Sequence, residues 1–176
     1  MTNKSKTSSG VENKAYFISQ ASCPHGWTLE GTSCYHIGRE ELTWTDAQRM
    51  CEHHKNSYLA RVETEVEDKA IQEMIRAQGH HSHKFWLGAT DWTVEGEWQW
   101  EPEGSASFTY SNWAHHQPND HGGNDNCMSM EGESMFHWYD DNCSNKKKYI
   151  CETAPSVDMT TVEYLTTKSP SFQTDV

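Results

Sequence analysis

Six cysteines constrain what this 176-residue chain can fold into more than any other sequence feature. The set is even and contains no Cys-x-x-Cys pair, so a zinc ribbon or a thioredoxin-like motif is disfavoured. Three disulfides formed in an oxidising compartment are the natural interpretation, and they predict a secreted, extracellular protein. The six residues are Cys23, Cys34, Cys51, Cys127, Cys143 and Cys151.

Charge and hydropathy narrow the set of partners. The net charge of −12 argues against a nucleic-acid backbone or an anionic membrane, because both require a basic face. No stretch approaches the roughly 20 apolar residues that a transmembrane helix needs, so no membrane span is expected. Residues 1–22 contain no apolar run longer than about four residues, so no signal peptide is recognisable. The acidic balance favours a cation as ligand.

Composition divides the chain into three regions. Residues 1–22 are polar and rich in Ser, Thr, Lys and Asn, which predicts a disordered N-terminal arm. Residues 23–152 are predicted to form one domain, because a stretch of this length can bury its own core. Residues 153–176 are rich in Ser and Thr and contain two prolines, which predicts a disordered tail.

The region from 23 to 152 is predicted to combine two helices with short strands, which is an α+β class of fold. Thr43 is the expected N-cap of the first helix, while Thr64 and Glu67 form a capping box for the second. That second helix is expected to end at Gly79. Strands are predicted at 58–62, 85–89, 97–101, 128–130, 135–143 and 149–152.

A polar loop at 113–127 is the strongest candidate for a functional site. It has too little apolar content for a core segment, and it concentrates amide and carboxylate oxygens, which are the ligands that calcium takes. A cis peptide at Pro118 would point the side chains on either side of it the same way. The alternative is a solvated surface loop. Its oxygen-bearing side chains are Gln117, Asn119, Asp120, Asp125 and Asn126, and Asp91 and Glu95 are further candidate ligands outside it.

These landmarks together resemble the C-type lectin-like domain over nearly the whole of residues 23–152. Each motif is weak alone, but their common order and spacing make the resemblance specific. The matching pieces are Trp86-Leu87-Gly88, Trp98-Gln99-Trp100, Tyr110-Ser111-Asn112-Trp113, Gln117-Pro118-Asn119, Trp138-Tyr139-Asp140 and the six cysteines.

The resemblance implies an architecture as well as a set of covalent links. The C-type lectin-like fold has two helices, a split antiparallel sheet and a long irregular loop region that binds calcium. Its cysteine pattern implies the bridges Cys23–Cys34, Cys51–Cys151 and Cys127–Cys143, and the first of these marks the long form of the domain.

Two calcium sites follow from the same resemblance. The site through which the family binds sugar falls on Gln117, Asn119, Asp125 and Asp140, and Tyr139 stands where many sugar-binding members have an asparagine ligand. An accessory calcium site falls on Asp91, Glu95, Asp120 and Asn126.

The triplet at 117–119 bears on which sugar is bound. In the family, Glu-Pro-Asn accompanies mannose-type sugars and Gln-Pro-Asp accompanies galactose-type sugars, whereas Gln117 and Asn119 place amides on both sides of Pro118. We expect weak binding with little discrimination, leaning toward the mannose or fucose type. His121 is expected at the rim of the site, either facing solvent, or lying against the sugar, or making binding fall from near pH 6.

Three functions are compared. The first is a calcium-dependent lectin that recognises glycans, for example on microbial surfaces in innate immunity, through Gln117, Asn119, His121, Asp125 and Asp140. The second is a lectin-like domain that binds a protein, mineral or ice surface without reading sugar. The third, an enzyme such as a glycosidase, is disfavoured because no nucleophile-and-base pair stands out.

Overall fold

The computed structural model describes residues 11–54, 56–102 and 108–167 of the chain. The chain divides into two compact units, one spanning Cys23–Pro155 and the other formed by the two ends of the chain. The larger unit contains the predicted domain of residues 23–152, whose bounds stay a prediction. No helix among these residues is long and apolar enough to cross a membrane.

The described residues contain two α-helices and ten β-strands, most of them short. The helices are α1, Trp44–Glu52, and α2, Glu65–Ala77. The strands are β1 Val11–Ser22, β2 Thr28–Glu30, β3 Ser33–Ile37, β4 Tyr58–Leu59, β5 Lys84–Thr90, β6 Gln99–Trp100, β7 Cys127–Glu131, β8 His137–Asp141, β9 Lys148–Thr153 and β10 Ser156–Thr167.

The sheet of the larger unit has the order β2-β3-β9-β5-β7-β8, with β4 added to β9 and β6 added to β5. Its pairs are antiparallel except β5 and β9, which run parallel. The resemblance implied an antiparallel sheet, and the observed sheet is mixed. The parallel pair joins β5 to β9, which are distant in sequence. Strand β8 lies at one edge of the sheet, beside the polar loop.

The helix boundaries follow the capping signals in the sequence. The Thr43 side chain accepts from the backbone N–H of Asp46, and that of Thr64 accepts from the N–H of Glu67. The capping box is half formed, because the Glu67 carboxylate accepts from the N–H of Glu63 rather than Thr64. Gly79, with φ +75°, follows the end of α2 as predicted.

Several strands are shorter than the sequence predicts. The run 58–62 keeps only Tyr58–Leu59 as strand, and 97–101 keeps only Gln99–Trp100. The strand predicted at 135–143 starts at His137, because Met135 and Phe136 have φ of +57° and +63°. Positive φ takes the chain out of the extended region, so the predicted strand begins two residues too early.

Buried tryptophans account for much of the core. Trp86 and Trp138 are fully buried, and Trp44 is nearly so. The indole N–H of Trp86 donates to the carbonyl of Leu42 at 2.8 Å, and that of Trp44 donates to the carbonyl of Leu87 at 2.8 Å. The burial of these large aromatic rings, with the indole N–H groups of Trp86 and Trp44 paired, gives a stable core to a chain that is otherwise rich in polar residues.

Three disulfides link the larger unit, and all three pairings that the family resemblance implied are confirmed. Cys23–Cys34 closes the β2–β3 region, and Cys127–Cys143 ties the start of β7 to the segment after β8. Cys51–Cys151 joins α1 to β9 across a sequence separation of 100. Closing so long a loop stabilises the fold by about 4 to 5 kcal/mol in the chain-entropy model.

The two ends of the chain pair with each other. Residues Val11–Ser22 and Ser156–Thr167 form an antiparallel two-stranded sheet that runs from Val11 opposite Thr167 to Ser22 opposite Ser156. The sequence predicts disorder for residues 1–22 and 153–176 from their polar composition. The described parts of these regions, residues 11–22 and 156–167, are assigned to strands, and the disorder of the whole regions stays a prediction. Residues 1–10 and 168–176 lie outside the described residues.

Glu152 is a buried acid on β9, an interior strand of the sheet. It is 6% exposed, and its carboxylate accepts from the backbone N–H of Arg61 at 3.0 Å. Burial raises the pKa of Glu152 from 4.5 to about 7, because an ionised carboxylate loses its hydration there. The folded state therefore favours the protonated form.

Replacing Glu152 with glutamine tests this burial. The contribution of a raised pKa is fully present below the unfolded value of 4.5 and is lost as the pH rises through about 7. We expect Glu152→Gln to raise the free energy of unfolding near pH 8 by about 3 kcal/mol at most, and to leave it little changed near pH 5. Urea unfolding at the two pH values measures this, with the exposed Glu73→Gln as control. An equal change at both pH values would contradict the prediction.

Candidate metal centre

The polar loop at 113–127 is attached at its start to the edge strand β8. Trp113 and Trp138 form a parallel bridge. The N–H of Trp138 donates to the carbonyl of Asn112 at 2.8 Å, and the N–H of Ala114 donates to the carbonyl of Trp138 at 3.0 Å. These bonds fix the loop beside the strand that carries Asp140.

The proline triplet lies on a tight turn that follows this attachment. The N–H of Gln117 donates to the carbonyl of Ala114 at 3.0 Å. The peptide bond between Gln117 and Pro118 is cis, as the sequence predicts. His116, with φ +65°, precedes this bond. The turn brings Gln117 and Asn119 to the end of β8.

Asp140 holds the loop and the strand together. It is 7% exposed, and its Oδ2 accepts from the backbone N–H groups of Asn119, at 2.8 Å, and of Asp120. The other oxygen, Oδ1, is buried and has no hydrogen-bond partner among the described residues. One oxygen of Asp140 therefore organises the loop, while the second is left for another ligand.

Asp120 shapes the far side of the loop. Its Oδ1 accepts from the N–H of Asp125 at 3.1 Å, and its carbonyl accepts from the N–H of Gly123 at 3.0 Å. Gly122 and Gly123 have φ of +87° and +76°, a region that residues with a Cβ rarely adopt. The Gly-Gly pair thus permits the turn that brings Asp125 back toward Asp140.

Three of the predicted ligands carry a buried oxygen with no hydrogen-bond partner in the described part of the chain. Such acceptors are rare in proteins, because an unsatisfied buried polar atom costs about 1 to 3 kcal/mol. A cation that coordinates hard oxygen atoms would satisfy them. The side chains present therefore fit calcium. The three atoms are Gln117 Oε1, Asp140 Oδ1 and Asp91 Oδ1.

Electrostatic repulsion around Asp125 also favours a bound cation. Its pKa is raised, first by burial and then by the negative charges of Asp141, Asp140 and Asp120, while His121 lowers it. Asp141 is already occupied, because it forms an ion pair with the buried Lys147. A bound divalent cation would relieve the repulsion among the remaining acids.

The predicted accessory ligands adjoin the same acids. Asp91 is 4% exposed, its Oδ2 accepts from the N–H of Gly96 at 2.9 Å, and burial raises its pKa. Glu95 is exposed, and its pKa is raised by loss of hydration and by the charges of Asp91, Asp120 and Asp140. These charge effects indicate that Asp91 and Glu95 lie in one acidic region with Asp120 and Asp140.

Some candidates take positions that the sequence does not reveal. The carbonyl of Asn126 accepts from the N–H of Asp91 at 3.4 Å, so its backbone contributes to the region. His121 is exposed, and Tyr139 is half-buried opposite Ser129 in the β7–β8 pair. Among residues 11–54, 56–102 and 108–167, no group of three or more His, Cys, Asp or Glu side chains is placed to hold a metal ion.

Two residues that support the site escape the sequence prediction. Asp68 is a buried acid on α2, and Asn112 donates to it at 2.9 Å from just before the loop. A signal for Asp68 exists, since it lies three and seven residues before Ile71 and Ile75 on the buried helix face. Asn112 belongs to the motif Tyr110-Ser111-Asn112-Trp113, but the sequence gives no sign that its amide contacts Asp68.

The chain belongs to the C-type lectin family. The lectin C-type domain matches residues 40–153. The perlucin-like protein of Mytilus galloprovincialis is 32% identical over 130 residues, covering 73% of this chain and 81% of that protein. The galactose-specific lectin nattectin of Thalassophryne nattereri is 30% identical over 131 residues, covering 74% and 80% respectively.

Solved structures agree with this assignment. The carbohydrate-recognition domain of the human scavenger receptor C-type lectin aligns with TM-score 0.66 and 28% identity, covering 76% of this chain and 99% of that one. A calcium-independent type II antifreeze protein aligns with TM-score 0.68 and 28% identity, covering 78% and 98%. The fold is therefore the α+β C-type lectin fold. The proteins that share it include a carbohydrate-recognition domain and a calcium-independent antifreeze protein.

Proposed function

We propose that this protein is a calcium-dependent carbohydrate-binding lectin. The observation that carries the proposal is that Gln117, Asp140 and Asp91 each have a buried oxygen without a hydrogen-bond partner among the described residues, while neighbouring carboxylates repel one another around Asp125. A galactose-specific lectin and a carbohydrate-recognition domain among its relatives support the same function. Bound calcium would supply coordination positions that sugar hydroxyls complete.

The residues of the sugar site have separate roles in this proposal. Gln117, Asn119, Asp125 and Asp140 supply the oxygens, and the amides can also donate N–H groups to a hydroxyl. Asp140 in addition keeps the loop in place through the N–H groups of Asn119 and Asp120. His121 lies at the exposed rim of the site. Asp91, Glu95, Asp120 and Asn126 form the accessory site.

The thermal stability of the domain tests the calcium part directly. Only Asp125 and Asp140 bring formal charge to the sugar site, so its dissociation constant is expected on the order of 10⁻⁴ to 10⁻³ M. Calcium at tenfold that concentration should raise the melting temperature by several degrees, because it binds only the folded state. Magnesium at equal concentration is the control. An unchanged melting temperature would count against both sites.

A glycan-binding screen with and without calcium tests the sugar part. We expect binding to mannose- or fucose-type glycans that a chelator abolishes. Affinity should fall toward pH 4 as the ligand carboxylates become protonated. A His121→Gln variant with an unmoved pH profile would exclude a role for that imidazole in the pH response.

A calcium-independent surface-binding function is the second candidate. Tyr139 is the observation that favours it, because it contributes no carboxylate or amide at the position where many sugar-binding members have an asparagine. The similarity to a calcium-independent antifreeze protein supports the same alternative. Retention of ligand binding in excess chelator would favour this function over the first.

The disulfides support an extracellular location, which we include in the proposal. The partners proposed are glycans, with no nucleic acid among them. Because single lectin sites bind weakly, assembly into an oligomer would raise the avidity for a glycan surface. We expect no turnover of oligosaccharides on prolonged incubation, since the acids are placed with amides around a cation site.

A further inference from the structure

A buried acid on α2 is hydrogen-bonded to the segment that leads into the polar loop. Asp68 is 2% exposed and occupies the buried face of α2 with Ile71 and Ile75. Its Oδ2 accepts from three side chains, and these reach it from the helix itself and from the segment before the loop. The donors are Gln72 Nε2 at 2.8 Å, Asn112 Nδ2 at 2.9 Å and Tyr110 Oη at 3.0 Å.

The packing of the helix does not by itself explain this acid. Among the described residues Asp68 has no ion-pair partner, and its Oδ1 is buried without a hydrogen bond. Burial raises its pKa, and the hydrogen bonds from Tyr110 and Gln72 lower it. A hydrophobic residue would avoid the cost of burying a carboxylate, whereas buried polar networks are retained where they specify one arrangement of the chain.

Asn112 connects the acid to the ligand-bearing segments. While its amide nitrogen donates to Asp68, its side-chain oxygen meets Nδ1 of His137 at 2.8 Å, and its backbone carbonyl accepts from the N–H of Trp138 at 2.8 Å. Because Asn112 Nδ2 is the donor to Asp68, His137 Nδ1 carries the hydrogen in this contact. One asparagine therefore ties α2 to β8 just before Asp140.

The same tie sets the start of the loop. The N–H of Ala114 donates to the carbonyl of Trp138, and the carbonyl of Ala114 accepts from the N–H of Gln117. The chain of contacts runs from Asp68 through Asn112 and Trp138 to Gln117 on one side and to Asp140 on the other. Both ends of this chain are proposed calcium ligands.

We propose that Asp68 is a positioning residue of the metal centre, which holds Gln117 and Asn119 in register with Asp140 through Asn112. The inference rests on the proposed function, because it assumes that these residues bind calcium. It assigns to α2 a part in ligand binding although no residue of that helix is a ligand. Its role differs from core packing in that the calcium affinity depends on it.

Asp68→Leu is the test, since it keeps a side chain of similar size and removes the acceptor that three donors share. We expect calcium to bind about tenfold more weakly by titration calorimetry, because misplaced ligands no longer converge on the ion. In calcium-free protein the amides of Ala114 and Trp138 should exchange hydrogen about tenfold faster. Tyr110→Phe removes one donor and should give a smaller loss in each measurement. The exposed Asp46→Leu is the matched control.

A second variant separates positioning from packing. Asp68→Asn keeps an amide oxygen that can accept from the same donors, so most of the calcium affinity lost in Asp68→Leu should be recovered. A calcium affinity unchanged in Asp68→Leu, or an Asp68→Asn variant that binds as weakly as Asp68→Leu, would overturn the proposal. If the parent protein binds no calcium, the proposed function fails, and the exchange rates still decide whether Asp68 orders the loop.

Discussion

Replacing Asp140 with asparagine is expected to weaken calcium binding by about a hundredfold and to abolish sugar binding that depends on the ion. One oxygen of Asp140 is buried without a hydrogen-bond partner in the part of the chain that the structure describes, and the other accepts from Asn119 and Asp120. Asparagine offers a single acceptor, so it can serve the loop or the ion but not both. It also removes one of the two formal charges of the sugar site.

Titration calorimetry with calcium measures the affinity, and the melting temperature without calcium shows whether the fold persists. Glu133→Gln removes an equal charge from an exposed residue outside the loop and should leave the affinity unchanged. Tight calcium binding retained by Asp140→Asn would show that the ion sits elsewhere. The accessory residues Asp91 and Glu95 would then be the first alternatives.

Two substitutions in the proline triplet are expected to change sugar preference in opposite directions. With amides at both 117 and 119, a coordinated hydroxyl receives two N–H bonds and finds no carboxylate to accept its own proton. That unpaired proton costs about 1 to 3 kcal/mol, or less where water accepts it. Gln117→Glu should therefore tighten mannose binding about tenfold, and Asn119→Asp should shift preference toward galactose.

Monosaccharide competition on the parent and on both variants measures these preferences. Glu133→Gln again provides a control for the general effect of charge, and both triplet variants should keep the calcium-induced rise in melting temperature. A parent protein that already prefers one sugar by about a hundredfold would contradict the donor and acceptor count. Each variant also tests whether the residue it replaces contacts the sugar. A sugar preference that does not change would show that Gln117 or Asn119, respectively, makes no such contact.

Local features of the fold could be read from the sequence because each depends on near neighbours. The N-caps Thr43 and Thr64 satisfy backbone groups three residues away, and Gly79 adopts the positive φ that ends α2. Because proline makes a cis peptide bond inexpensive, the sequence offers the cis bond at Pro118 as a possibility, and the structure contains it. The disulfide pairings are not local, and they were implied by the family resemblance, since spacing alone leaves 15 possible connectivities for six cysteines.

Strand lengths and the pairing of the two ends could not be read in this way. The residue types at 135–143 do not reveal that Met135 and Phe136 have positive φ. The composition of 1–22 and 153–176 predicts disorder, and it gives no sign of the pairing between residues 11–22 and 156–167. Backbone pairing over a long sequence separation depends on what lies opposite each strand, and no window of the sequence contains that information.

The sequence by itself determined which oxygen atoms are available at the metal centre, because residue identity fixes the donors and acceptors. Only the tertiary structure decided how each is used. One oxygen of Asp140 accepts from the loop, and the other has no hydrogen-bond partner among the residues that the structure describes. The Asp120 carboxylate accepts from the N–H of Asp125, and Asp141 forms an ion pair with Lys147. The physical reason is that a carboxylate offers few lone pairs, and the packing of distant segments decides which of them are already taken.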